Sequence, residues 1–294
     1  MLRSMEPMVE AIAPRVAFRG LRSVWFQVTG TLCNLACRHC FNASGPRHPW
    51  LVSLDAATVR RSIAEAQDLG VREFYFTGGE PFLHPAIVAL IEDALAVAPT
   101  TVLTNGTLID EAMADRLANV AAASPYSLEI RISLDAPTAE DNDAIRGHGS
   151  FAKALQAARR LAGRGISPIV TATEVRAPSA GASLYERMRA LLIESGIARP
   201  RIKIIPVLPL GRCADRQGSR RVTSEDLEHF DTARLPCTES RVVAAGGVYA
   251  CPILAGLPGA RVGTERLTEA LTPATLYHPA CYTCYETGIA CKNF

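Results

Sequence analysis

Cys33, Cys37 and Cys40 stand at the spacing C-x3-C-x2-C in CNLACRHC, directly after the apolar run SVWFQVTG. Three thiolates on so short a loop can each hold one iron of a cubic [4Fe–4S] cluster, which leaves the fourth iron without a protein ligand. An open iron is a place where a small molecule binds and receives an electron. The same thiols would also suit a zinc site completed by His39 or His48. After a long gap six more cysteines follow: Cys213, Cys237, Cys251, Cys281, Cys284 and Cys291. Two separated groups imply two metal centres. The second reads as an iron–sulfur cluster or as a zinc knot built on Cys281-x2-Cys284 and two distant cysteines. Cys213 reads as a small core residue. Nine cysteines in a chain without a signal-peptide pattern point to metal binding or catalysis in a reducing compartment, ahead of disulfides.

These groups need elements to hold them. Ser53 and Asp55 can cap a helix running to about Asp68. Strand-like segments recur near Ser23–Val28, Val71–Phe76, Thr101–Leu103, Leu128–Leu134, Ile169–Val175 and Ile202–Leu208. Helical segments alternate with them at Pro85–Ala98, Asp110–Ala123, Ser150–Gly163 and Leu184–Glu194. Such alternation predicts an α/β fold with a parallel sheet, either open and doubly wound or an incomplete barrel. Every chemically suggestive motif falls at the C-terminal end of a predicted strand, the edge where active sites of such folds sit. After about Gly211 the pattern breaks into turns, Gly and Cys, with strand-like pieces only at Arg241–Ala245 and Val248–Ala250. That part is expected to bury little apolar surface and to depend on a metal for its shape.

The motifs together resemble the radical SAM superfamily, in the subgroup with a C-terminal SPASM/twitch-like extension. The signature is carried by CNLACRHC, by TGGEP and by SLDAPTAEDNDAIRGHGSF. The resemblance implies a partial (β/α)6 TIM-like barrel with a small Cys-rich C-terminal domain. The implied boundaries are an extension at 1–21, the core at 22–212 and the auxiliary-cluster domain at 213–294. It implies Cys33, Cys37 and Cys40 as ligands of a [4Fe–4S] cluster that binds S-adenosylmethionine. Gly78, Gly79 and Glu80 would hold the methionine ammonium, and Arg146 its carboxylate. Ser133 and Asp135 would lie near the ribose or methionine, and Val207–Leu208 would pack on adenine. Asn105 is a further candidate cofactor contact, or simply a turn residue. His39 stands where the family often has an aromatic ring and would stack on adenine. Four of Cys237, Cys251, Cys281, Cys284 and Cys291 would ligate one auxiliary [4Fe–4S] cluster. Elementary chemistry agrees: an ammonium wants a carboxylate, a carboxylate suits the arginine fork, and ribose hydroxyls suit Asp and Ser. Glu174, late in its strand, is a candidate base or hydrogen-bond acceptor, or an outward-facing residue.

The implied activity is reductive cleavage of S-adenosylmethionine to a 5′-deoxyadenosyl radical that abstracts a substrate hydrogen, in an oxidoreductase-type enzyme. The short extension, and the roughly 20 residues before the core, favour a small metabolite such as a sugar or aminocyclitol. The alternative is a maturase that crosslinks, epimerises or oxidises a ribosomal peptide. A non-catalytic iron–sulfur or zinc scaffold would not need both Glu80 and Arg146. An electron donor such as flavodoxin or ferredoxin is implied. A net charge of +2 gives no nucleic-acid footprint, and no run of about 18 apolar residues marks a membrane span. Glu6, Pro7, Glu10 and Pro14 break any signal-peptide core, so a cytoplasmic location is expected.

Overall fold

Strict alternation along consecutive segments builds the centre of the molecule. The computed structural model describes residues 13–47, 49–174, 182–214 and 220–288. A short strand β1 (Arg15–Val16) precedes β2 (Ser23–Gln27), β3 (Glu73–Thr77), β4 (Thr100–Thr104), β5 (Leu128–Ser133), β6 (Ile169–Glu174) and β7 (Arg201–Pro206). The strands β2 to β7 pair in parallel and in chain order. Parallel neighbours need crossovers. These are supplied by α1 (Ala56–Asp68), α2 (Ile87–Leu95), α3 (Glu111–Ala123), α4 (Ala139–Arg146) with α5 (Ser150–Ala162), and α6 (Leu184–Glu194). The helix starts are written in the sequence. Asp55, Asp110 and Thr138 each accept from a backbone N–H three residues on, and Ser183 with Glu186 forms a capping box.

An order that never reverses has no switch point, so the doubly wound alternative is excluded and the sheet is a partial (β/α)6 barrel. Side chains of one strand parity, including Val24, Phe26, Phe74, Phe76, Val102, Ile130 and Val170, pack under the helices. The other parity faces the concave side, where Trp25 and Tyr75 stack at 4.0 Å.

The C-terminal part continues the same sheet. After α7 (Ser224–Leu227) come β8 (Ser240–Ala244), β9 (Gly247–Tyr249), β10 (Arg261–Gly263), β11 (Ala274–Thr275) and α8 (Pro279–Thr287). β8 pairs in parallel with the free side of β2, then β9 and β10 add antiparallel, giving nine strands in the order β10-β9-β8-β2-β3-β4-β5-β6-β7. β11 returns to pair with β1. This corrects the expectation of a weakly buried appendage. All five residues of β8 are buried, and Val243, Val248, Leu267 and Ala270 belong to the same apolar core as the barrel helices. The strands are too short for periodicity to reveal, yet docking on β2 covers both their faces. Among the described residues no helix is long and apolar enough to cross a membrane.

Candidate functional site

The loop after β2 closes on itself before presenting its cysteines. Gly45 N donates to Thr31 O and Cys33 N donates to Gly45 O, each at 3.1 Å, pinning the base of the loop. Cys33 and Cys37 are buried, Cys40 is half-buried, and all three are free thiols. Two of the sulfurs already accept backbone bonds, from Leu35 N to Cys33 at 3.4 Å and from Ser44 N to Cys40 at 3.3 Å. Burial pushes the Cys33 thiol up to about 12, helped by Glu80 and its sister cysteines and opposed by the Leu35 N–H. Burial raises Cys37 as well, against the pull of Arg146. Thiols in such a setting give up their protons to a bound cation, as cluster ligands do. Among the described residues no three His, Cys, Asp or Glu side chains are grouped closely enough for a single metal ion. His39 turns Nε2 to Asp135 at 2.6 Å, and His48 lies outside the described residues. The trio therefore suits the separate corners of a cubane better than one tetrahedral ion.

The ends of β3 and β4 clamp this loop. Glu80 N donates to Leu32 O at 3.0 Å. A Cβ on Gly79 would lie 2.1 Å from Leu32 O and 2.9 Å from Cys33 Cβ, so only glycine lets the two loops touch. The Glu80 carboxylate is fully buried and accepts from Thr104 Oγ1 at 2.7 Å, Asn105 N at 2.8 Å and Phe82 N at 3.1 Å. Burial pushes its pKa up to about 7, with those three bonds pulling the other way. Asn105 Nδ2 donates to Asn34 Oδ1 at 2.8 Å and lies 3.8 Å from Cys33 Sγ. It thus reaches the cysteine loop through its side chain, beyond what a turn residue would need.

Asp135, just past β5, is committed inside the protein. Its Oδ2 lies 2.6 Å from both His39 Nε2 and Arg146 Nε, and its Oδ1 accepts from Thr173 N at 2.8 Å. Burial would raise this carboxyl, but the Arg146 charge and the His39 bond outweigh it and hold it far below the usual carboxylate range. Arg146 ends α4 with its Nη1 3.9 Å from Cys37 Sγ. Ser133 ends β5 on the same strand parity as Arg131, paired with Thr171. Leu208 is buried among Trp25, Tyr75, Leu210 and Tyr249, at the seam between barrel and C-terminal strands, and Val207 beside it is half-buried. Gly78 sits at φ +144°, where a Cβ would meet Thr29 Oγ1. Glu174 is not brought to this centre: it is exposed and shares the parity of Val170, which faces the helices.

One clamp escaped sequence reasoning. Arg212 Nη1 donates to Cys37 O at 2.8 Å, its Nη2 donates to Ser44 O at 2.7 Å, and its backbone N donates to Cys40 O. The preceding Gly211 has φ +60° and packs against the carbonyls of Cys40 and Phe41. The signal was the Gly-Arg pair itself, read only as a domain end. Cys213 next to it is half-buried.

A second centre lies at the opposite edge of the sheet, by the start of β8 and the end of β9. Cys237 comes from the turn before β8, Cys251 from two residues after β9, and Cys281 and Cys284 from the first turns of α8, three positions apart and so on one face. These four line one apolar cavity with Leu235, Ile253, Leu254 and Leu276. Burial pushes the Cys281 thiol up to about 11. Four sulfurs from three elements around a dry cavity fit an iron–sulfur cubane by donor chemistry. Cys291 lies outside the described residues.

Comparison with known proteins agrees with this layout. The sequence profile of the Radical SAM superfamily matches residues 28–175. Mycofactocin maturase MftC of Mycobacterium ulcerans (strain Agy99) is 32% identical, over 75% of this chain and 65% of that protein. The MftC of Mycobacterium tuberculosis (strain CDC 1551 / Oshkosh) is 33% identical, over 75% of this chain and 62% of that protein. The chain thus spans somewhat less than two thirds of the length of these relatives. A solved structure of native anSMEcpe with bound AdoMet superposes with a TM-score of 0.61 at 19% identity, covering 84% of this chain and 79% of that one, a likeness of fold. By its sequence profile, its sheet order and its cysteine loop, the chain belongs to the radical SAM superfamily, in the subgroup with a Cys-rich C-terminal extension of the SPASM/twitch kind.

Proposed function

We propose that this radical SAM enzyme is a peptide maturase, acting on side chains or backbone of a ribosomal peptide. The observation that carries this is the similarity to mycofactocin maturases across three quarters of the chain. It favours the peptide reading over the sugar or aminocyclitol that the short extension pointed to. The cluster, when bound with S-adenosylmethionine, supplies the electron that splits the sulfonium to methionine and a 5′-deoxyadenosyl radical. The protein's part is positioning. Cys33, Cys37 and Cys40 hold three irons. Glu80, poised near neutrality by burial, takes the methionine ammonium, whose charge keeps the carboxylate ionised. Arg146 is fixed at Nε by Asp135 and offers its terminal nitrogens to the methionine carboxylate. Asp135 is already neutralised by Arg146 and His39 and acts through them, whereas Glu80 has only neutral donors and keeps its charge for the ammonium; Ser133 is left to meet the ribose. Asn105 steadies Cys33, and Leu208 closes the adenine side. Cys237, Cys251, Cys281 and Cys284 would hold the auxiliary cluster, which would supply an electron acceptor or an anchoring iron for the substrate. A flavodoxin or ferredoxin supplies the first electron.

The test is anaerobic reconstitution of the full chain, then reduction by dithionite with S-adenosylmethionine. About eight irons per chain and formation of 5′-deoxyadenosine are expected. Deuterium should pass into 5′-deoxyadenosine from a labelled peptide encoded beside the enzyme, and not from labelled sugars or aminocyclitols. Transfer from a sugar alone would overturn the peptide reading.

A further inference from the structure

Among the described residues Arg241 is the largest fully buried side chain. It stands second in β8, four residues after Cys237. Its guanidinium donates to Ala270 O at 2.6 Å, Cys237 O at 2.9 Å, Ser240 O at 2.6 Å and Thr272 O at 2.5 Å. The Phe18 ring lies 3.9 Å beneath it. Every one of these partners is neutral. Among the described residues no carboxylate pairs with it, although a buried cation without a counter-charge is destabilising by several kcal/mol. The groups whose charge favours its protonated form are the sulfurs of Cys237 and Cys251, yet burial outweighs them and draws it down to about 10. Both sulfurs line the second cavity.

A four-thiolate cubane is an anion in either redox state, and it gains one further negative charge on reduction. Walls of Leu235, Ile253, Leu254 and Leu276 give that charge no solvation. A fixed cation beside it stabilises the reduced form more than the oxidised form, because the reduced form carries more charge. We propose that Arg241 is the built-in counter-cation of the C-terminal cluster and raises its reduction potential. This rests on the four cysteines holding a cluster. It makes Arg241 a positioning and tuning residue, not a ligand. The carbonyl bonds fix the guanidinium so that it cannot follow the charge out to solvent.

The test uses the full chain with Cys33, Cys37 and Cys40 replaced by Ala, reconstituted anaerobically with iron and sulfide so that only the C-terminal cluster forms. Iron content and the midpoint potential from EPR-monitored redox titration are read for this protein and for Arg241→Gln and Arg241→Lys in it. Arg241→Gln should load iron with its reduction equilibrium at least tenfold less favourable, a downward shift of about 59 mV for one electron. Arg241→Lys should shift it less than threefold. Should Gln fail to load iron where Lys loads it, the charge requirement also stands. Equal potentials for Arg and Gln, or equal loss with Gln and Lys, would overturn the proposal, since the guanidinium would then serve only to tie β8 to the carbonyls. Absence of iron in the Arg241 protein itself would instead overturn the cluster reading, and the inference with it.

Discussion

At the scale of single residues, Asp135 and Glu80 are two buried carboxyls driven in opposite directions. Asp135 faces a guanidinium and an imidazole. Replacing it by Asn leaves Arg146 buried without its counter-charge, and breaking such a pair from one side costs about 3–5 kcal/mol. Asp135→Asn should therefore lower the urea midpoint of the metal-free protein. Because Arg146 loses its anchor, affinity for S-adenosylmethionine should fall about 10–100-fold, as for other supporting-shell changes, measured by equilibrium dialysis with the loaded enzyme. Unchanged affinity would show that Arg146 does not hold the ligand. Glu80 has only neutral donors, so its pKa rises to about 7 from an unfolded value near 4.3. Between those values the native state keeps a proton that the unfolded chain has released. The stabilisation is thus complete below about pH 4.3 and disappears as pH rises through about 7, a span of about 4 kcal/mol for the metal-free protein. Glu80→Gln should flatten that slope in unfolding curves taken from pH 4.5 to 7.5. Much of this was readable as residue type: Glu80 and Arg146 stand out in TGGEP and AIRGHG. That Asp135 serves Arg146 was not readable, because the capping and ribose readings of an Asp after a strand use the same oxygens.

Elements explain why the cysteine loop is held so firmly. Its contacts come from the ends of β3, β4 and α4 and from the residues after β7, so the C-terminal edge of the barrel converges on one loop. The alternation of six strands and their helices was legible, since periods of two and 3.6 differ over windows this long. The helix α4 escaped the sequence reading, because its eight residues are mostly polar and show no apolar stripe. Choosing barrel over open sheet needed the strand order, which no local pattern carries. The clamp from Gly211 and Arg212 was invisible for the same reason: about 170 residues separate Arg212 from Cys37. Gly211→Ala tests this clamp. Its φ of +60° already disfavours a side chain, and the added Cβ would lie 2.3 Å from Phe41 O and 2.5 Å from Cys40 O. Strain of about 1–3 kcal/mol should be relieved by moving the loop. The expected outcome is a chain that still folds but loses about four irons, those of the first cluster, while the second cluster loads normally. Full iron loading and normal cleavage of S-adenosylmethionine would mean that the clamp does not set the loop.

At the scale of the whole molecule, a nine-stranded sheet carries the two cysteine centres on opposite edges. β8 shields β2, the strand that launches the first cysteine loop, and the turn before β8 carries the first cysteine of the second centre. Between the two centres sits the apolar cluster of Trp25, Tyr75, Leu208, Tyr249 and Tyr277, against which Cys251, Cys281 and Cys284 pack. The barrel and the C-terminal strands therefore share one apolar core, whatever the metal adds. Removing everything after Arg212 would strip Val242, Val243, Val248, Leu254 and Leu267 from the core, at about 1.5–3 kcal/mol for each large apolar side chain. Their sum is comparable with the whole stability of a domain. The chain ending at Arg212 should lose its cooperative unfolding transition and aggregate. Replacing Cys237, Cys251, Cys281 and Cys284 together by Ala removes the second cluster but little apolar surface, about 1 kcal/mol per position on the scale of single-methyl deletions. That variant should keep native near-UV circular dichroism and a single thermal transition a few degrees lower. If it behaved like the truncated chain, the metal would be holding the C-terminal strands in place and the packing argued from β8 would be insufficient.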